Sequence, residues 1–203
     1  MGEAPLRDQF SALRRFGARL LVLRAGPEDL PYSPQLTWMA VVLMASIYPA
    51  WMVTLTARSP QPEDLGLWPM LVWTVAPAGG MLGVCALLLR AFGMQDRFHQ
   101  FALALAVVHG LAMLVLFGSS FARMLIVGPQ AEGGLEFAVL WISGLVPFAA
   151  LLWYGLVMSH VWARTLERGY GVGLLMTLVQ NAAMWILPVV VLIGVLSIIN
   201  LFN

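Results

Sequence analysis

Five blocks of 18 or more mostly apolar residues divide this 203-residue chain. A helix needs about 20 such residues to cross a bilayer core, and lipid offers no partner for unpaired backbone amides. Only 10% of the residues are charged, against roughly a quarter in soluble domains. The sequence therefore predicts an all-α polytopic membrane protein. Its five transmembrane helices are expected at about residues 36–57, 69–90, 101–122, 137–158 and 173–199.

The chain is expected to have two parts: residues 1–35 ahead of the membrane and a bundle over 36–203. The first apolar block starts too late and runs too long for a cleaved signal-peptide core, so we expect this span to be retained. The third block stays apolar to Gly128, which leaves its end open between residues 122 and 127.

The arginines predict the orientation of the spans. All eleven basic residues are Arg, a bias typical of GC-rich bacterial genomes. Nine lie in residues 1–35 or in the loops after spans 2 and 4, and only Arg58 and Arg123 lie on the other side. Because positive charge stays inside, we expect a bacterial inner-membrane protein with a cytoplasmic N-terminus and a periplasmic or extracellular C-terminus.

Residues 6–23 have the pattern of an amphipathic helix. At 100° per residue the apolar side chains fill one arc, formed by Leu6, Phe10, Leu13, Phe16, Gly17, Leu20, Leu21 and Leu23. We expect this helix to lie in the membrane interface, with its arginines near anionic head groups. The arginines assigned to the membrane surface are Arg7, Arg14, Arg15, Arg19 and Arg24.

The stretch "AGPEDLPYSPQL" (25–36) joins this helix to the first span. Gly26 is expected to end the helix, and Ser33 to cap the next one with Pro34 at its first position. Prolines exclude helix through the residue before them, so a rigid elbow is favoured over a ligand site. Exposed acids on the elbow are compatible with protein docking, and the residues assigned to it are Glu28, Asp29, Pro31, Tyr32 and Pro34.

Two stretches carry a family resemblance: "VLRAGPEDLPYSP" before span 1 and "WARTLERGYGVGLLMTL" before span 5. In layout the chain resembles bacterial members of the Yip1-like family, in which a proline-containing approach leads into five spans. The resemblance implies five spans and a partner-binding role, as in eukaryotic relatives that bind small GTPases and membrane-shaping proteins. It implies no catalytic residue.

Three histidines are the candidate cofactor ligands. His99 and His160 flank spans 3 and 4 near the cytoplasmic side, where they are either ordinary interfacial histidines or haem ligands. His109 lies deeper in span 3, where it either bonds a neighbouring helix or touches a quinone head group. Gln180 and Asn181 form the most polar pair inside a span, and we expect a buried polar cluster of these two amides with His109.

Small residues and prolines suggest how the helices meet. The glycines of "GGMLG" in span 2 (Gly79, Gly80 and Gly83) allow close helix packing, either inside the bundle or against another subunit. Prolines that bend helices occur in four spans, at Pro49, Pro77, Pro147 and Pro188. Cys85, the only cysteine, is expected to be a small packing residue.

Motifs of catalysis and nucleotide binding are absent from the sequence, and no Asp, Glu or Lys lies inside a predicted span. We therefore expect no enzyme, no cofactor, no metal site and no nucleic-acid partner. The favoured interpretation is a non-catalytic accessory, scaffold or assembly subunit of a larger membrane complex, in contact with lipid and other membrane subunits. The alternatives are a small carrier or channel that uses the proline bends, and a haem- or quinone-binding redox subunit.

Overall fold

The computed structural model describes residues 6–20, 22–56, 67–126 and 134–202, which are helical apart from short connections. One-turn 3₁₀ helices lie at Pro27–Asp29 and Gln95–Arg97. The six α-helices are α1 (Leu6–Leu20), α2 (Pro34–Thr56), α3 (Leu67–Ala91), α4 (Phe98–Ile126), α5 (Gly134–Thr165) and α6 (Tyr170–Phe202). The all-α class is confirmed over these ranges. Helix α4 continues to Ile126, and where the third span ends within it stays a prediction.

Three helices are long and apolar enough to cross a membrane: Gln95–Ser119, Gly144–Thr165 and Tyr170–Val191. Five were expected. In α2 and α3 the described apolar segments are Pro34–Ile47 and Pro77–Ala91, and both are shorter than a membrane span. The structure therefore shows three helices capable of spanning a membrane, and the full count of five stays a prediction.

The five long helices form a closed ring. Along the ring, α2 packs on α3, α3 on α6, α6 on α5, α5 on α4, and α4 back on α2. Neighbours in the ring are therefore not always neighbours in sequence: α6 completes the ring by packing against both α5 and α3. The connections α1–α2, α3–α4 and α5–α6 meet at one end. We call it the basic end and define it as residues 22–33, 90–97 and 164–169, which contain five arginines and four carboxylates.

The interior of the ring near the basic end is filled with large side chains. Trp162 of α5 and Phe101 of α4 are completely buried, and their rings are 4.2 Å apart between centroids. Met81 and Leu89 of α3 are buried with them in one continuous apolar cluster. This part of the bundle is therefore a packed apolar core, as protein interiors generally are.

Cys85 lies inside this core with none of its surface exposed. We expect the thiol to resist a maleimide in the folded protein and to react fully after unfolding in dodecyl sulfate, since the reagent must reach the sulfur. A Cys85→Ala, Phe92→Cys variant is the control, because Phe92 is 41% exposed in the turn after α3. Rapid labelling of native Cys85 would contradict the packing described here.

The N-terminal helix ends earlier than expected. Residues 6–23 were predicted to be helical with Gly26 as the terminator, but α1 stops at Leu20. Leu23 takes a left-handed conformation (φ 56°), which lets Arg24 donate its backbone N–H to Arg19 O at 2.9 Å. This closure satisfies the last carbonyls of the helix, so Gly26 instead begins the 3₁₀ turn.

The apolar side of α1 packs against the bundle. Phe16 and Leu20 are buried within the main apolar cluster, whereas Arg14, Arg15 and Arg19 are exposed. Three helical positions that carry the predicted pattern, Leu6, Arg7 and Phe10, have side chains outside the described part of the chain. The location of α1 in the membrane interface stays a prediction.

The start of α2 agrees with the sequence. Pro34 is its first residue, and Ser33 Oγ accepts the backbone N–H of Leu36 at 3.3 Å. Ser33 is buried. The predicted Ser–Pro helix start is therefore confirmed, and it fixes the direction in which the chain enters the ring.

Candidate functional site

Gln180 of α6 is the centre of a buried polar cluster. Its side chain is completely buried, and its Oε1 accepts the indole N–H of Trp162 at 2.8 Å. The same oxygen lies 3.6 Å from the Cys85 Sγ, and the amide nitrogen donates to Tyr154 Oη at 3.1 Å. One side chain thus links α3, α5 and α6. Because both polar atoms of the amide make hydrogen bonds, the arrangement stabilises the ring.

His109 and Asn181 lie beside this cluster and line one cavity. Its volume is about 280 Å³, and its wall comes from one face each of α4, α5 and α6. His109 is 2% exposed, and its ring meets that of Tyr154 edge to face at 5.8 Å. Asn181 donates to Thr177 O on its own helix at 2.8 Å. The three residues predicted to cluster therefore lie together, with Tyr154 between His109 and Gln180.

The closest approach of α5 and α6 depends on Gly173. A Cβ atom at this position would overlap Ser159 O of α5 and lie 2.9 Å from Ala163 N. One turn further along, the hydroxyls of Ser159 and Thr177 are 3.4 Å apart. These contacts bring the backbones of the two helices together and set the position of Gln180 on the next turn of α6.

The elbow between α1 and α2 is attached to two other helices at the basic end. Leu30 O accepts the side-chain amide of Gln100 in α4 at 2.9 Å. Glu28 forms an ion pair with Arg164 in α5, and the Arg164 Nε–H donates to Glu28 Oε1 at 2.7 Å. Within the elbow, Asp29 Oδ2 accepts the Gly26 N–H at 3.0 Å. The proline-rich stretch is therefore an ordered part of the bundle.

A second attachment joins the two remaining connections. Arg97, in the turn before α4, donates to Thr165 O at the end of α5 at 2.9 Å and forms an ion pair with Glu167. Glu167 has a left-handed backbone (φ 53°) in the α5–α6 turn. Together with the elbow contacts, this pair makes the three connections one continuous surface.

The two ion pairs border a groove of about 540 Å³. Arg168 and His160 line it as well, so arginines outnumber carboxylates on its wall. Both ion pairs are substantially exposed to solvent, and exposed pairs contribute about 0–1 kcal/mol each. The groove is thus a charged surface held in shape mainly by its backbone hydrogen bonds.

The histidines near the basic end have separate surroundings. The ring of His99 packs edge to face on Tyr32 of the elbow at 5.3 Å between centroids. Thr37 donates its hydroxyl to the His99 backbone carbonyl at 3.2 Å. His160 instead lines the charged groove. Among the described residues, no group of three or more His, Cys, Asp or Glu is arranged to hold a metal ion.

The glycines of α3 divide between two sides of the helix. Gly80 is buried against α6, where a methyl group at this position would meet the Leu187 Cβ at 3.3 Å. Gly79 and Gly83 are exposed, with nothing within 4 Å of where their Cβ atoms would be. Only Gly80 takes part in packing within the ring. Two of the four helix prolines, Pro77 and Pro147, lie inside α3 and α5, and the side chains of Pro49 and Pro188 are outside the described residues.

No protein-family model, curated protein sequence or solved structure matches this chain. The resemblance to the Yip1-like family accordingly stays a prediction from layout. Two regions of the structure are candidate functional sites: the basic end, and the polar cluster with its cavity.

Three residues of these regions were not predicted from the sequence: Tyr154 and Trp162 in the polar cluster, and Arg164 in the elbow ion pair. A periodic signal was present for two of them, since Tyr154, Met158 and Trp162 recur every four residues and lie on one face of a helix. Arg164 was counted only for topology. Its pairing with Glu28 spans 136 positions, and no local pattern predicts a contact over that distance.

Proposed function

We propose that the protein is a non-catalytic accessory subunit of a larger bacterial inner-membrane complex, and that its basic end is a cytoplasmic docking surface. In this proposal α2 to α6 all span the membrane and α1 lies against the inner interface. The observation that carries the proposal is the attachment of the elbow to α4 and α5. A surface ordered before binding loses less conformational entropy when a partner docks.

The side chains displayed at this end suit a protein partner. Tyr32 is 61% exposed and Phe92 is 41% exposed, and exposed aromatic residues on rigid backbone are typical binding anchors. Arg24, Asp96 and Arg168 are exposed around them. The mixed charge can fix the orientation of a partner and exclude others.

The packed interior favours a subunit over a channel or carrier. Trp162 and Phe101 fill the axis near the basic end, where a channel needs a wet path. The described interior contains no Asp, Glu, Lys or Arg among its buried residues, although coupled carriers usually use such groups. The buried amide of Gln180 is occupied by neighbouring side chains of the ring.

The proposal is tested by weighing the intact particle. A C-terminally tagged chain is extracted from its native host in mild detergent and measured by native mass spectrometry. We expect a mass well above that of one chain, with further subunits identified in the same particle. A particle containing this chain alone, under conditions that preserve other membrane complexes, would overturn the proposal.

Charge reversal at the elbow tests which surface docks. Glu28→Arg places two cations together and should release the elbow, lowering the recovered complex by about tenfold, equivalent to 1.4 kcal/mol. The double variant Glu28→Arg, Arg164→Glu re-creates the ion pair with opposite polarity and should recover most of the assembly. Asp8→Arg is the matched control and should leave the recovery unchanged, because Asp8 is an exposed acid on α1, outside the basic end. Equal losses in Glu28→Arg and the double variant would show that elbow geometry is not the determinant.

A further inference from the structure

The cavity between α4, α5 and α6 has one polar end. Helices α4 and α6 run away from the basic end, whereas α5 runs towards it. The lining residue nearest the basic end is His109 on α4, Tyr154 on α5 and Asn181 on α6. The rest of the wall is apolar or aromatic, and it consists of Ala112, Met113, Leu116, Phe117, Pro147, Leu151, Met184 and Trp185.

The polar end lies near the middle of Gln95–Ser119, the segment that is long and apolar enough to span a membrane. His109 is eleven residues from the start of α4, which is ~16 Å at 1.5 Å per residue, or about half of a 30 Å hydrocarbon core. A phospholipid head group lies at the interface, and moving its charge to this depth is strongly unfavourable. No charged residue lines the cavity that would compensate it. The ligand head must therefore be uncharged.

The size and the lining further restrict the ligand. A volume of about 280 Å³ is at the lower limit for small-molecule pockets, enough for one ring and part of a single chain. Phe117, Tyr154 and Trp185 are among the lining residues, and aromatic side chains pack favourably against a flat ring. From His109 to Phe117 the cavity follows eight residues of α4, or ~12 Å.

Asn181 supplies hydrogen-bonding capacity at the polar end. Its amide uses one N–H on Thr177 O, and an asparagine side chain has a second N–H and a carbonyl oxygen besides. A ligand carbonyl can accept that second N–H, and a ligand hydroxyl can donate to the oxygen. An uncharged ring that binds here should therefore carry a carbonyl or a hydroxyl group to pair with Asn181.

We propose that this cavity binds a quinone-type molecule, an uncharged flat ring bearing carbonyl or hydroxyl groups on a hydrocarbon chain. The ring lies at His109, Tyr154 and Asn181, and the chain follows the apolar wall towards Phe117 and Trp185. The inference concerns binding alone. It does not depend on the docking role of the basic end, because the cavity and the charged groove share no lining residue.

Tryptophan fluorescence tests this proposal on the full-length protein in detergent. Quinones quench tryptophan over short distances, and Trp185 lines the cavity one helical turn, or ~6 Å, from Asn181. Titration with decylubiquinone should give a saturable component that disappears in Trp185→Phe. That component should persist in Trp38→Phe, because Trp38 is about as exposed as Trp185 (61% and 65%) but lies on α2, which does not line the cavity. Quenching that rises linearly, with no saturation, would mean that the probe only partitions into detergent and would overturn the proposal.

A cavity-filling substitution supplies the matched comparison. Ala112→Phe places a ring in the cavity, since Ala112 is 2% exposed and lines it, and should weaken decylubiquinone binding by at least roughly tenfold, or 1.4 kcal/mol. Ala149→Phe makes the same change on the exposed side of α5 and should leave binding unchanged. Equal affinities in the two variants would show that the cavity holds ordinary lipid chains only.

Photolabelling removes the dependence on variant folding. An azido derivative of the same quinone, irradiated with the unmodified protein, should label peptides covering 109–117, 147–154 and 181–185, with an excess of decylubiquinone suppressing the label. Asn181→Leu should reduce labelling, because it removes the polar contact and keeps the side chain close in size. Labelling spread over lipid-facing residues and insensitive to competition would overturn the assignment.

Discussion

Gly173→Ala should lower the free energy of unfolding by about 3 kcal/mol or more, which is at or beyond the upper range for overpacked sites. The added methyl group would overlap Ser159 O and lie 2.9 Å from Ala163 N. Both are backbone atoms of α5, so no side-chain rotation can relieve the contact. The two helices must separate, and the hydroxyl contact of Ser159 with Thr177 separates with them.

Gly171→Ala is the matched control for this result. Gly171 lies two residues earlier in α6 and is exposed, with no atom within 4 Å of where its Cβ would be. Alanine favours helix over glycine by up to about 1 kcal/mol, so this variant should be neutral or slightly more stable. Thermal unfolding in detergent, followed by a thiol-reactive dye on Cys85, measures both. Equal shifts of the two midpoints would contradict the close contact at Gly173.

Gln180→Leu should destabilise the bundle by about 2–4 kcal/mol. The substitution removes the acceptor of the Trp162 indole N–H and the donor to Tyr154 Oη. A buried polar group that loses a partner costs about 1–3 kcal/mol, and the substitution removes a partner from both Trp162 and Tyr154. Circular dichroism during thermal unfolding is the suitable measurement, because Cys85 itself contacts Gln180.

Asn181→Leu is the comparison for Gln180→Leu, because it removes a neighbouring amide whose hydrogen bond stays within α6. Asn181 is the adjacent amide, but its hydrogen bond is to Thr177 O on the same helix, so its loss should cost under about 1 kcal/mol. In the double variant Trp162→Phe, Gln180→Leu the indole N–H is absent as well. The unfolding free energy lost in this double variant should be smaller than the sum of the losses in the two single variants. Strict additivity would indicate that the Trp162–Gln180 bond contributes nothing.

The sequence determined the helices well because the signal is local. Apolar length and the start of α2 at Ser33 and Pro34 follow from lipid solvation and helix capping, which act over a few residues. The end of α1 was misplaced for a local reason as well. Gly26 was predicted to end α1, but the left-handed residue after the helix is Leu23. A non-glycine residue adopts a left-handed backbone only at some energetic cost.

The way in which the helices pack into the ring was harder to predict from the sequence. A cluster of His109, Gln180 and Asn181 was predicted, because polar side chains inside a membrane usually bond between helices. The partners, Tyr154 and Trp162, depend on the rotation of α5 about its axis. Helix rotation is set by packing against two neighbours, and Gly173 decides how closely α6 approaches. Neither quantity is encoded in hydropathy.

The contacts that attach the elbow also impose an order in time. Glu28 is synthesised 136 positions before its partner Arg164, and ribosomes add about 5–20 residues per second, so the interval is roughly 7 to 27 s. During this interval Leu30 can already accept the side-chain amide of Gln100, which is synthesised well before Arg164. The attachment to α4 therefore becomes available first, and the attachment to α5 is added only when that helix is complete.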